Sequence, residues 1–256
     1  MLKHSTLFHN NYTTLVIIFI FNFYCEAYKV YNEIEGELYN VIVKEFSDLI
    51  DKIKEHPFNV ELINNTLDYE KFKFYLQQDF LYCIDCARAF LIVPARVDDI
   101  EMMSSLINLA QGAFYVREQY KKYFEDCDLS DDHKKSRACS AFTDFFMSAA
   151  YHNSVNEALV ASYSCFNIYQ IVIRHMVNEI TTKGVKNNKY KEWINIYSSE
   201  TVNAVIDEIT DITNKLYKKA SDCEKKRMYE FFKKGLELEI MFWDEAYYSN
   251  ISSKEY

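Results

Sequence analysis

In 256 residues the chain carries only four glycines and two prolines. A protein of many strands needs a turn roughly every 8–12 residues, and turns draw heavily on those two residue types. Such scarcity favours long helices joined by few loops. With 49% hydrophobic residues, a chain of this length can bury one full core. No segment repeats at a fixed period.

Apolar spacing supports this reading along the whole chain. Leu38, Val41, Ile42, Phe46, Leu49, Ile50 and Ile53 recur at the three-or-four interval of a helical stripe. His56-Pro57 breaks it, because a residue before proline is pushed out of the helical region. "NNTLDYEKF" then offers capping side chains for a helix running towards Pro94. A third helix is expected over about 98–125, with Met102, Leu106, Leu109, Phe114 and Tyr115 inward. "DCDLSDDHKKSRACS" reads as a polar, exposed loop. "AFTDFFMSAAYHNS" is a helix of about four turns, and an apolar run over 155–177 is closed by Lys183-Gly184. "KYKEWINIYSS", "ETVNAVIDEITDITNKLYKKA" and "CEKKRMYEFFKKGLELEIMFWDEAYYSN" supply the rest. The expected fold is all-α: a single-domain bundle of seven to eight helices.

The N-terminus reads differently. "TLVIIFIFNFYCEA", residues 14–27, follows Lys3 and is too short to span a bilayer comfortably. It has the character of a signal-peptide core with Ala27 at a small-residue cleavage site; an apolar N-terminal helix is the alternative. The expected division is residues 1–27 as a signal or targeting segment, 28–250 as the helical domain and 251–256 as a tail. No stable membrane insertion of the mature domain is expected. A secretory or organellar route fits the leader, whereas a working thiol favours a reducing compartment such as the cytoplasm.

Charge and cysteine usage exclude several classes. A formal charge of −9 argues against a nucleic-acid partner, which calls for a basic stripe. Seven cysteines at irregular spacing make no disulfide framework in a chain of this size. Cys83 and Cys86 form C-x-x-C, but no second pair or paired histidines complete a zinc site, and a mid-helix setting is wrong for a redox motif. They read as packing residues, with neither a metal nor a cofactor expected. Phosphate loops, H-E-x-x-H and G-x-S-x-G are all missing from the sequence.

One stretch resists a purely structural reading. In "YLQQDFLYCIDCARAF", residues 75–90, Leu76, Phe80, Cys83, Ala87 and Phe90 trace a buried face, and Asp79 stands beside it. A carboxylate is costly to bury without partners. Either Asp79 faces solvent, or it faces a cavity whose contents need an anion. Gln77, Gln78 and Asp85 already supply polar positions for a solvated side.

Four segments decide between these. "HPFNVELINNTLDYEKFKFYLQQDFLYCIDCARAF", "FTDFFMSAAYHNSVNEALVASYSCFNIYQIV", "YKEWINIYSSE" and "ELEIMFWDEAYY" resemble, in order, the signatures of the TenA/thiaminase II family. The resemblance covers about residues 33–250. It implies a haem-oxygenase-like bundle, commonly assembled as a homotetramer. It also implies hydrolysis at an aminopyrimidine: deamination of 4-amino-5-aminomethyl-2-methylpyrimidine to the hydroxymethylpyrimidine, or cleavage of thiamin into pyrimidine and thiazole. The alternative is a catalytically weak pyrimidine-binding or regulatory homologue.

The same resemblance implies site roles. Cys165 matches the nucleophile, Glu239 the acid/base carboxylate, and Asp79 the carboxylate that binds the pyrimidine's amino and ring nitrogens. Tyr82, Tyr169 and Tyr197 match pocket residues. Phe142 stands where the family often has tyrosine, so one hydroxyl is missing, and Ser164 stands where proline usually precedes the cysteine, a difference expected to touch only local backbone. Helix geometry discriminates between Glu239 and its neighbour Glu237, which lie about 200° apart. Only Glu239 shares a face with Phe242, Trp243 and Ala246.

Overall fold

The computed structural model describes residues 37–249. The expected targeting segment at 1–27, the start of the first helix and the tail at 251–256 lie outside the described residues. Within them run α1 (Glu37–Glu45), α2 (Ser47–Lys54), α3 (Pro57–Ile63), α4 (Tyr69–Ile92) and α5 (Ile100–Tyr123). They are followed by α6 (Arg137–His152), α7 (Val155–Lys183), α8 (Lys191–Tyr197), α9 (Glu200–Lys219) and α10 (Asp222–Tyr248). Two short 3₁₀ turns, Pro94–Arg96 and Glu125–Cys127, complete the set, and no strand occurs among the described residues.

The ten helices among the described residues exceed the expected seven to eight for a local reason. The stripe over 38–53 is one face of two helices that meet at Phe46, where φ is −111° and ψ 22°. Backbone hydrogen bonds continue on both sides, from Phe46 N to Ile42 O and from Ile50 N to Phe46 O. The break is therefore a kink. Pro57 then starts the separate α3, with His56 as its cap accepting from Phe58 N. Elsewhere the capping residues fix the starts. Asp68, Asp99, Ser136 and Ser199 each accept from a first-turn N–H, and Ser154 and Ser221 form full capping boxes with Glu157 and Glu224. Gly184 ends α7 at φ +62°, a left-handed conformation that suits glycine.

α4 is the central element. It packs on α5, α6 and α10, while α7 packs on α6, α9 and α10. Its buried residues include Phe72, Tyr75, Leu76, Phe80, Cys83, Ala87 and Phe90, and they occupy nearly every face. A helix apolar all round belongs inside. Aromatic rings fill the space around it: Tyr75 stacks on Trp243 at 4.7 Å, and Phe58 contacts both.

One expectation fails here, and a second holds with a constraint added. Phe114 is not inward but 46% exposed, on one side of α5 with the exposed Ile100 and Ile107. These three repeat every seven residues and form an apolar line on the outer surface. The 128–136 loop is also more constrained than its polarity suggests, because Arg117, itself buried, holds Asp131 through two hydrogen bonds. No helix among the described residues is long and apolar enough to cross a membrane.

Candidate active site

Asp79 is 3% exposed and therefore does not face solvent. The three residues expected to mark α4's solvated side are buried as well: Gln77, Gln78 and Asp85. They hold the 130–136 loop. Gln77 exchanges hydrogen bonds with the backbone of Ser130, Gln78 accepts from Ser136 N and donates to Lys134 O, and Asp85 pairs with Arg88 and Lys135. Polar residues on α4 thus divide into a structural set facing the loop and Asp79 facing inward.

Two hydroxyls hold Asp79. Tyr120 of α5 and Tyr197 at the end of α8 both donate to Oδ2, the latter at 2.7 Å. The Trp193 indole N–H in turn donates to the Tyr120 oxygen at 3.2 Å. Burial pushes the Asp79 carboxyl up to about 6, against the two hydroxyls, which favour the charged form.

Cys165 enters from α7, where the long apolar stretch 158–176 buries almost every side chain. Its thiol lies against the Glu239 carboxyl and the Tyr82 hydroxyl. Burial pushes this thiol well above its ordinary range, and the neighbouring Glu239 adds to the effect. Glu239 of α10 is 2% exposed, and burial likewise holds its carboxyl well above the usual carboxylate range. Glu237 lies on the outside, paired with Lys234. Burial thus favours the neutral form of each group over its charged form.

Asp79, Tyr82, Phe142, Cys165, Tyr169, Glu239 and Phe242 line one small inner space. A second, larger space shares Asp79, Tyr82, Cys165 and Tyr169 with it and adds Tyr197. All seven residues singled out in the sequence line one chamber or the other. Its walls are aromatic: Tyr82 packs on Phe142 at 5.3 Å and on Phe242 at 6.2 Å, and Tyr169 packs on Tyr197 at 4.9 Å. The Tyr169 hydroxyl pairs with that of Tyr75. Two polar atoms at the inner space, Tyr82 Oη and Glu239 Oε1, are buried with no well-formed partner. Buried polar groups ordinarily find one, so these two atoms have hydrogen-bonding capacity left over.

Several participants were not singled out from the sequence. Tyr120 continues the buried stripe Ala113 and Val116 on α5, which signals only a core position. Trp193, Tyr75 and Phe242 read as packing residues for the same reason. Ser164 has more than the local backbone role expected of it. Its Oγ donates to Ala161 O, and its side chain sits where α10 passes closest, against Gly235. Cys83 and Cys86 are free, buried thiols in the wall of the larger space. Among the described residues, no group of three or more His, Cys, Asp or Glu side chains is arranged to hold a metal ion.

Fold and chamber together define a haem-oxygenase-like helical bundle with a thiol and two carboxyls enclosed among aromatic rings. The chain belongs to the TENA/THI-4/PQQC family, whose description matches residues 43–249. Its relatives include the aminopyrimidine aminohydrolase of Halalkalibacterium halodurans, 26% identical over 202 residues, covering 75% of this chain and 87% of that one. The Helicobacter pylori protein of the same name is 26% identical over 200 residues, covering 76% and 91%. A TenA homologue from P. horikoshii superposes with a TM-score of 0.72 at 28% identity, over 81% of this chain and 97% of that one. A Shewanella denitrificans domain described as having a heme oxygenase-like fold superposes at 0.65 with 13% identity, over 86% and 97%, a likeness of fold alone.

Proposed function

We propose that this protein is an aminopyrimidine hydrolase of thiamin salvage, acting on 4-amino-5-aminomethyl-2-methylpyrimidine, on thiamin, or on both. The observation that carries the reading is the meeting of Cys165, Glu239 and Asp79, from three helices, at one small aromatic chamber in a chain whose family includes aminopyrimidine aminohydrolases.

In this reading Asp79 pairs with the ring's amino donor, and the Phe142 and Phe242 faces hold the ring. The Cys165 thiol gives its proton to Glu239 in its carboxylate form as the sulfur bonds to a ring carbon. Electrons pushed through the dearomatised ring break the C–N bond of the aminomethyl group, whose amine takes its proton from Glu239 and leaves as ammonia. Water then adds at the exposed methylene and gives a proton to Glu239; the sulfur departs as a thiolate as aromaticity returns, and takes that proton back. One buried carboxyl cycling between acid and base suffices, and such help amounts to about 10²–10⁴-fold.

The test is ammonia and hydroxymethylpyrimidine release from the aminomethylpyrimidine by the purified protein. Cys165→Ala is expected to abolish release, and wild-type turnover in that variant would remove the covalent route. Phe142 favours a second reading, a pyrimidine-binding protein of weak turnover, because one hydroxyl of the family's network is absent. Tight binding by calorimetry without ammonia release would select it. Assembly as a homotetramer is proposed on the exposed α5 line of Ile100, Ile107 and Phe114, and sedimentation equilibrium decides it.

A further inference from the structure

Asp79 receives both of its protein hydrogen bonds on one oxygen. Tyr120 and Tyr197 donate to Oδ2, and among the described residues no donor reaches Oδ1, although Asp79 walls both spaces of the chamber. Tyr120 has a single proton to give. Its oxygen accepts from the Trp193 indole, a group that can only donate. Tyr120 also stands 2.9 Å from the Tyr197 oxygen, but an ionised carboxylate is the stronger acceptor and draws both protons. The indole thus fills the acceptor side of Tyr120 and turns its proton to Asp79. Tyr120 and Trp193 are both fully buried, so water does not compete for either.

We infer that Tyr120, oriented by Trp193, is a specificity-determining positioning residue: it holds Asp79 as an acceptor whose free Oδ1 requires a hydrogen-bond donor on the bound ring. A carboxylate accepts and cannot donate, whereas a protonated carboxyl does both. With Asp79 ionised, a ring bearing an amino group presents its N–H to Oδ1. A ring bearing an oxo group in that place presents lone pairs to it and is rejected. The identity of the ring rests on the aminopyrimidine reading above; the positioning of Asp79 does not.

No cation helps to keep this carboxylate charged. The groups that face it are Tyr120 from α5, Tyr197 from α8, Tyr169 from α7, Glu239 from α10, Cys139 from α6, and Tyr75, Cys83 and Cys86 on its own helix. Against burial, only the two hydroxyl bonds favour the ionised form. Deleting one of them makes protonation easier, turns Asp79 into a possible donor, and erodes the distinction between amino and oxo rings.

The experiment compares wild type with Tyr120→Phe and Trp193→Phe. In ligand-free protein, the Asp79 carboxyl is followed by carbon NMR, with its signal assigned by Asp79→Asn. The wild-type midpoint is expected near about 6, and Tyr120→Phe should move it up by about one to two on the pH scale, the worth of a hydrogen bond to a charged group. Trp193→Phe should move it in the same direction by less. In turnover, the acidic limb of the kcat/KM profile should follow, with KM for the amino substrate at pH 7 raised about tenfold and kcat within about threefold. The binding preference for the amino ring over its 4-oxo analogue, by calorimetry, should fall about tenfold. An unmoved Asp79 midpoint and unchanged preference in folded Tyr120→Phe overturn the inference. If Tyr120→Phe does not fold, Trp193→Phe decides by the same two readouts. A midpoint that moves in a protein that binds neither ring sinks the aminopyrimidine reading and leaves the positioning role standing.

Discussion

Phe142 sits 5.3 Å from the Tyr82 ring, at the wall where two buried polar atoms, Tyr82 Oη and Glu239 Oε1, lack partners. Phe142→Tyr returns a hydroxyl to that wall, and turnover of the aminomethylpyrimidine should rise about tenfold, with no loss of thermal stability. Steady-state assays beside a melting curve check it; a fall in kcat would mean that the chamber is shaped around the bare ring. At this scale the sequence was legible where geometry is local. The helical angle separates Glu239 from Glu237, and the structure buries the first and exposes the second. It was illegible where partners are remote. Gln77 and Gln78 look solvated because the backbone groups they satisfy, at Ser130, Lys134 and Ser136, lie more than fifty residues away. Tyr120 and Trp193 could not be told from core residues, since their value comes from where their polar tips meet.

Among the helices, the approach of α7 to α10 governs the site, because one carries Cys165 and the other Glu239. Gly235 lies one turn before Glu239, and a Cβ there would stand 1.8 Å from Ser164 Oγ and 2.5 Å from its Cβ. The pair Ser164 and Gly235 therefore sets how close the thiol and the carboxyl can come. Gly235→Ala must push the helices apart, with a loss of about 1–3 kcal/mol and a drop in kcat larger than the drop in substrate affinity. Ser164→Gly in the same chain removes the colliding atoms and should restore part of both, which denaturant titration and steady-state kinetics of the two variants will measure. Additive losses in the double variant would place the contact outside the spacing of the site. Helix starts were readable because caps are local, as at Asp99, Ser136 and Ser154. The kink at Phe46 was not. It arises where Phe46 turns to stack on Phe232 of α10 at 5.8 Å, a contact that the spacing of α1 and α2 does not reveal. Phe114 was misplaced because periodicity shows that a face is apolar, not whether another helix covers it.

For the molecule as a whole, two inward acids oppose folding. A folded-state value near 6 for Asp79 means that the native protein holds a proton the unfolded chain releases near its ordinary 3.8. Stability contributed by that proton is present below about pH 4 and is lost as pH rises through about 6, on the order of 3 kcal/mol in all. Glu239, also pushed up by burial, carries the same sign. Carboxylates held low act oppositely. Asp85, beside Lys135 and Arg88, and Glu157, beside Arg227, stabilise above their unfolded range, and that contribution is lost as pH falls. Net stability against pH therefore mixes both signs, and only a difference isolates the chamber. The amide variant Asp79→Asn with Glu239→Gln keeps the shapes and removes the charges. Its melting temperature should exceed that of the wild type at pH 8, the gap should close towards pH 4, and it should release no ammonia. Calorimetric melts across that range supply the measurement. A constant gap would mean that the acids are charged without penalty, and the buried chamber would then have to contain a counter-charge that none of its lining residues supplies.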